Sequence, residues 1–313
     1  MSELEVWTDE DVRAALDLTT AIESQRIAFR ELGAGRARMA EKVAVSGGEN
    51  TSLGYLSTLS PRHGAVSKLV AVHPGNVERG LPAITATVLV LDAETGQVRG
   101  VLAGTALTEL RTAAGSAVAV EALAQEGEHE LAVLGSGVQA RAHVRAFAQV
   151  RDLRAVRIHS RGRDRREAAA RELAAELGLD VRAVDSAEAA VRGASLVATC
   201  TLSAEPVIDS VAPGTTVISV GGFEPHRREV GPALVRDADL VVVDDAATAA
   251  AHAGSIMHAL AAGDRTSEDL RSLGELLAGL RDGRTADDQV VLYNSVGIAV
   301  QDAAAAHAVL GTL

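Results

Sequence analysis

Residues 131–147, LAVLGSGVQARAHVRAF, set an apolar run directly before two glycines and a stretch with helical spacing. Gly135 permits a sharp turn, and Gly137 lets backbone N–H groups approach a pyrophosphate at a helix N-terminus. Ala140 stands where a dinucleotide fingerprint has its third glycine, a position that needs only a small residue for helix–strand packing. Ala140, Val144, Phe147 and Val150 recur at helical spacing and give the helix one sheet-facing stripe. Apolar strand, glycine turn and helix in this order predict a dinucleotide-binding unit, with Gly135, Ser136, Gly137, Val138 and Gln139 at the cofactor.

The rhythm continues outward from this unit. ELAVLG, VRIHS, VRAV, LVATC, TVISVGG and LVVVDD read as strands, and QARAHVRAFAQV, RREAAARELAAEL and SAEAAVRG as the helices between them. Such alternation predicts an α/β fold: a Rossmann-type, doubly wound parallel sheet over residues 116–298. Upstream, Thr8 can cap a first helix, and Gly33 and Gly35 end a second. Short runs follow from about residue 41, with LDAETGQV as a hairpin turn, and then a helix through TALTELRTAAGSAVAVEALAQ. The last helix, NSVGIAVQDAAAAHAVL, can return to the first region, giving a discontinuous α+β domain of residues 1–115 and 299–313.

The strand after the glycine turn discriminates between cofactors. An NAD site usually offers an acidic residue at the end of that strand, for the ribose hydroxyls. Here the chain reads VRIHSRGRDRREA, placing Ser160, Arg161 and Arg163 there, which suits the 2′-phosphate of NADPH and favours it over NADH. Thr199, ending LVATC, and Ser295, in NSVG, are counted with the cofactor-binding residues.

Composition narrows the partners. A net charge of −12 and 2% aromatic residues speak against nucleic acid. The acidic start lacks the form of a signal peptide, and no run reaches about 18 apolar residues, so a soluble cytoplasmic protein without a membrane partner is expected. Single Cys200 fits a reducing compartment and reads as a small core residue of an apolar strand. The nine histidines show no metal-ligand spacing, so no metal is expected, and Asp244 and Asp245 read as caps. Two cations carry more information. Lys68 lies inside an apolar strand pattern and Arg111 opens into a run of small residues; a buried pair of this kind suits a carboxylate substrate.

The order K-x-V-x-x-x-P-x-N, G-L-P, L-D-x-x-T-G, L-T-x-x-R-T-A-A, G-x-G-x-Q-A and S-V-G-x-A-x-x-D, from about residue 40 to 307, resembles the ornithine cyclodeaminase/μ-crystallin family. The resemblance implies that the discontinuous domain binds substrate, a small amino or imino acid, and makes a homodimer. It implies that Lys68 is the active-site lysine and that Arg111 holds the substrate carboxylate. It places Lys42 where the family often has a second carboxylate-binding arginine. In VGGFEPHRREV, Phe223 stands where ornithine cyclodeaminases carry an aspartate that handles protons at the substrate amine. Neighbouring Glu224 is the candidate replacement in substrate binding. The departure points to the ketimine reductase branch: reduction of Δ1-pyrroline-2-carboxylate or Δ1-piperideine-2-carboxylate to proline or pipecolate. The alternatives are an NAD-dependent ornithine cyclodeaminase, a μ-crystallin-like protein that binds NADPH and a small ligand, and an amino-acid dehydrogenase.

Overall fold

A computed structural model describes residues 4–313, which divide into two compact units, one ending at Thr112 and resuming over Ile298–Leu313, the other Ala113–Gly297. The first unit holds strands β1 (Glu5–Trp7), β2 (Arg38–Met39), β3 (Val43–Gly47), β4 (Asn50–Thr58), β5 (Val66–Val72), β6 (Ile84–Leu91) and β7 (Val98–Ala103). They form one sheet in the order β1-β7-β6-β5-β4-β2, with β3 pairing β4. Pairing is antiparallel except for β1 on β7. The expected hairpin joins β6 to β7: the Asp92 carboxylate accepts from the Glu94 and Thr95 N–H groups, and Gly96 takes φ +68°. Asp92 thus supplies the local acceptor that a tight turn needs.

Helix α1 (Asp9–Ala15) starts at Thr8, whose hydroxyl and the Asp11 carboxylate close a capping box. Helix α2 (Leu18–Gly33) starts on an Asp17 cap. The C-terminal helix, Ala299–Val309, is alanine-rich and packs on α2 and on β4, β5 and β6. Its small side chains let backbones come close, so that the Ser57 hydroxyl donates to the Ala299 carbonyl at 2.9 Å. Helix α3 (Gly104–Leu123) carries the chain from the first unit into the second.

The second unit is built on eight parallel strands: β8 (Glu128–Leu134), β9 (Asp152–His159), β10 (Asp180–Ala183), β11 (Leu196–Thr199), β12 (Thr216–Ser219), β13 (Leu240–Val243), β14 (Leu270–Ser272) and β15 (Val291–Asn294), in the order β10-β9-β8-β11-β12-β15-β13-β14. Helices α4 (Val138–Val150) and α5 (Arg163–Leu177) follow β8 and β9. The α/β class and the parallel sheet match the sequence reading. Two strands were not legible: β14 has three residues, and four-residue β15 follows a polar loop rather than a helix, so neither carries the strand–helix rhythm. Every residue of β11, β12, β13 and β15 is buried, as expected of central strands in a parallel sheet covered on both faces. No helix among the described residues is long and apolar enough to cross a membrane.

Two buried histidines are locked as neutral tautomers. His143 is fully buried on α4; its Nδ1–H donates to the Gln139 carbonyl at 2.7 Å and its Nε2 accepts from the Ser116 hydroxyl at 2.9 Å. His307, in the first unit, donates from Nε2 to the Gly64 carbonyl at 3.1 Å and accepts from Thr312 at 2.9 Å. Burial pushes each down to about 4 from an ordinary 6.5. Between these values the unfolded chain binds protons that the folded chain does not, so stability rises with pH through the window and is lost on acidification. Equilibrium denaturation is expected to show a fall of about 1–2 kcal/mol per histidine between pH 7.5 and pH 5. Equal stability at the two pH values would contradict this assignment.

Candidate functional site

In the second unit β8 lies between β9 and β11, so the strand order reverses there, and the loops beyond its C-terminal end leave a crevice. A cleft of about 450 Å³ occupies that point. Gly135, Ser136 and Gly137 line it after β8; Ser160, Arg161 and Arg165 after β9; Cys200, Thr201 and Ser203 after β11. Gly135 has φ +129°, and a Cβ there would lie 2.4 Å from the Cys200 carbonyl oxygen, so only glycine fits. Its N–H donates to the His159 carbonyl at 2.8 Å, tying the turn to the end of β9. The Ser136 and Ser160 hydroxyls meet at 2.8 Å. At Gly137, the N-cap of α4, no side-chain cap bonds the helix's first N–H groups among the described residues, and a Cβ would meet nothing within 4 Å. An open helix N-terminus on an unblocked glycine is a cradle for a phosphate. The Gln139 side-chain oxygen is buried without a partner among the described residues. These features fit a dinucleotide.

The end of β9 offers no carboxylate. His159 and Ser160 close it, Arg161 is exposed, and Arg165 reaches the cleft. Arg163, by contrast, lies along α5 in an ion pair with Glu167 at 2.7 Å, on a solvated helix face. Arg165 was legible only as part of the SRGRDRR cluster, because the phase of α5 decides which arginine faces the cleft. Val138 is exposed at the start of α4 and does not line the cleft. Thr199 and Ser295 do not line it either, for a shared reason: each hydroxyl is committed to a buried carboxylate.

Those carboxylates were not anticipated as site-builders. Glu229, with no exposed surface, accepts from the Thr199 hydroxyl (2.8 Å), the Thr201 hydroxyl (2.7 Å) and N–H (2.5 Å), and the Gly221 N–H (2.6 Å). One side chain thereby pins the loops after β11 and β12. Asp244 is equally buried and accepts from the Tyr293 and Ser295 hydroxyls and from the Val296 and Gly297 N–H groups, the last at 2.6 Å. Asp245 does cap a helix, through the Thr248 N–H, whereas Asp244 orders the loop after β15. Cys200 also departs from its reading, since it lies just beyond β11 and lines the cleft; burial pushes its thiol well above the ordinary range.

In the first unit Lys68 sits on β5 opposite Tyr55 of β4 and Val88 of β6. Its Nζ lies 2.7 Å from Asp302 Oδ2 and 4.6 Å from the centre of the Tyr55 ring. Arg111, from α3, donates from Nε to Asp302 Oδ1 at 3.0 Å, and its Nη1 is 3.5 Å from Gln301 Oε1. Lys68, Arg111 and Asp302 are 3%, 6% and 2% exposed, so the structure gathers both expected cations into one buried cluster. Burial, opposed by Asp302 and reinforced by Arg111, lowers the Lys68 ammonium from 10.5 to about 8. Asp302 was visible as the last residue of the S-V-G-x-A-x-x-D pattern, yet nothing in the pattern assigned it to these cations. Lys42, partly buried, immediately precedes β3. Glu224 of the second unit pairs with Arg227 at 2.8 Å, and that guanidinium also lies over the Phe223 ring at 5.0 Å. Among the described residues no group of three or more His, Cys, Asp or Glu is placed to hold a metal.

Known proteins resemble this chain over most or nearly all of its length. An alanine dehydrogenase of Archaeoglobus fulgidus is 32% identical over 310 residues, 97% of this chain and 93% of the relative. The ketimine reductase mu-crystallin of Mus musculus is 32% identical over 82% of this chain and 79% of its own. The structure of Thermococcus litoralis Δ1-pyrroline-2-carboxylate reductase in complex with NADH and L-proline superposes with a TM-score of 0.93 at 27% identity, covering 98% of this chain and 97% of that one. The model of the ornithine cyclodeaminase/mu-crystallin family matches residues 3–312, and the chain belongs to that family.

Proposed function

We propose that this protein is an NADPH-preferring imine reductase acting on a small cyclic ketimine carboxylate, Δ1-pyrroline-2-carboxylate or Δ1-piperideine-2-carboxylate, and giving proline or pipecolate. The observation that carries this reading is the buried Lys68–Arg111 pair beside an aromatic ring. Asp302 balances only one of the two buried cations, so the cluster keeps a net positive charge that a substrate carboxylate can join, and a planar guanidinium matches a carboxylate. Arg111, aided by Lys42, holds the carboxylate and orients the ring. Lys68, an ammonium at neutral pH and close to releasing its proton, serves as the acid that protonates the ring nitrogen. The bound nucleotide supplies the hydride that the imine carbon receives.

Phe223 supports reduction over cyclodeamination, since a phenyl ring neither accepts a proton nor binds an ammonium. The Glu224–Arg227 ion pair works in the same direction, because it engages the carboxylate nearest that position. The alanine dehydrogenase likeness supports a second reading, reduction of the open-chain imine formed from pyruvate and ammonia. NADPH consumption with each cyclic ketimine, set against pyruvate plus ammonia and against ammonia release from ornithine with NAD, separates these. Fast turnover of a cyclic ketimine is expected; ammonia release from ornithine without ketimine reduction would overturn the proposal. R111A is expected to raise KM for the imine by about 10–100-fold, the worth of a charge-assisted contact.

NADPH preference rests on the absence of an acid at the end of β9 and on Arg161 and Arg165 at the cleft. Steady-state kinetics should show R165A raising KM for NADPH by about tenfold or more while leaving that for NADH within about twofold. Equal effects on both would contradict recognition of the 2′-phosphate.

A homodimer is supported by the sheet face opposite the C-terminal helix. Val43, Val45, Leu56 and Leu69 project there, 50–72% exposed, an apolar surface that a second copy would cover. Light scattering should find a dimer for the parent chain and a monomer for V45D/L69D; a parent monomer would contradict this assembly.

A further inference from the structure

The buried cluster contains a group that neither the carboxylate anchor nor the proton donor accounts for. Asp302 lies in the first turn of the C-terminal helix, where the helix dipole favours a carboxylate. Its two oxygens serve two different cations from two different elements: Oδ2 meets Lys68 Nζ of β5, and Oδ1 accepts from Arg111 Nε of α3. A guanidinium carries five N–H donors. Asp302 takes the one on Nε, and Gln301 Oε1, already accepting from the Ile298 N–H at 3.0 Å, is only distantly in reach of Nη1. Among the described residues the Nη groups of Arg111 meet only that distant oxygen and can turn to a ligand, while the arm that carries them is fixed by Nε.

We propose that Asp302 is the positioning residue of this site: it draws Lys68 and Arg111 to one point, leaves the Nη edge of Arg111 for the substrate carboxylate, and keeps Lys68 as the ammonium. The groups facing Lys68 support this. Among the described residues Asp302 of the C-terminal helix is the one carboxylate paired with it; Arg111 of α3 repels it; Tyr55 of β4 offers its ring; β6 presents the apolar Val88. Burial and Arg111 drive the proton off, and Asp302 opposes both. Without that charge Lys68 would be neutral at a lower pH, and Arg111 would lose its fixed aim. The proton-donor part of this inference rests on the imine-reductase reading, whereas the binding part does not.

The test compares the parent chain with D302N and D302E, each with NADPH. Calorimetric binding of pyrrole-2-carboxylate, a flat ring with one carboxylate, is followed from pH 6 to 9.5 beside kcat/KM for Δ1-pyrroline-2-carboxylate. For the parent, binding and rate should decline with a midpoint near 8. D302N should move that midpoint down by about one pH unit or more and weaken binding at pH 7 by about tenfold. A D302N midpoint equal to that of the parent would overturn the proposal, because a merely structural aspartate would leave it in place. Should D302N fail to fold, D302E, which keeps the charge on a longer arm, should hold the midpoint while kcat/KM falls by about tenfold or more. Unchanged kcat/KM in D302E would overturn the positioning role. A parent chain that binds pyrrole-2-carboxylate with this midpoint yet reduces no cyclic imine would remove the reductase reading and leave the role of Asp302 standing. No binding at any pH would overturn it.

Discussion

Two cations share one buried carboxylate, and that constraint shapes the first unit. An ammonium and a guanidinium each lose several kcal/mol of hydration on burial, and side by side they repel. Asp302 makes the arrangement tolerable, and it can do so only if the C-terminal helix lies against β4, β5 and β6. The alanines of that helix follow from the same need, since a bulkier helix would stand too far from the sheet for a short aspartate arm to reach Lys68. Charge pairing, close packing and the discontinuous unit are therefore one solution. The last turns of the chain are required by a lysine more than two hundred residues earlier.

The second unit solves a different problem in a parallel way. A phosphate cradle needs loops held still without side chains crowding the ligand. Gly135 meets the second demand by having no Cβ, and buried carboxylates meet the first. Glu229 gathers the loops after β11 and β12, and Asp244 gathers the loop after β15. Both accept several hydrogen bonds from N–H and hydroxyl groups together, as a buried anion must to offset its desolvation. In both units a fully buried acid organises the place where a ligand is expected.

The sequence disclosed the parts that depend on local pattern. Gly135 and its flanking strand and helix, the Asp92 hairpin and the Thr8 cap are short-range features, and the structure has them where the pattern places them. Family membership was legible from motif order. What the sequence hid depends on three-dimensional phase. Arg165 rather than Arg163 faces the cleft because of how α5 is turned, and Thr199, at the end of β11, and Ser295, just after β15, give their hydroxyls to the buried Glu229 and Asp244. Strand β15 is defined by its neighbours β12 and β13 and not by its own four residues. Asp302 was in view as a letter in a motif, but its partners lie in distant segments.

The claim on which the account turns is that a nucleotide hydride reaches the carbon bearing the carboxylate that Arg111 holds. Reaction of Δ1-pyrroline-2-carboxylate with NADPH carrying deuterium at both nicotinamide C4 positions, followed by mass spectrometry and NMR of the product, measures this directly. The account predicts proline with one deuterium at Cα. Proline without label, or label retained wholly in the nucleotide, would contradict it.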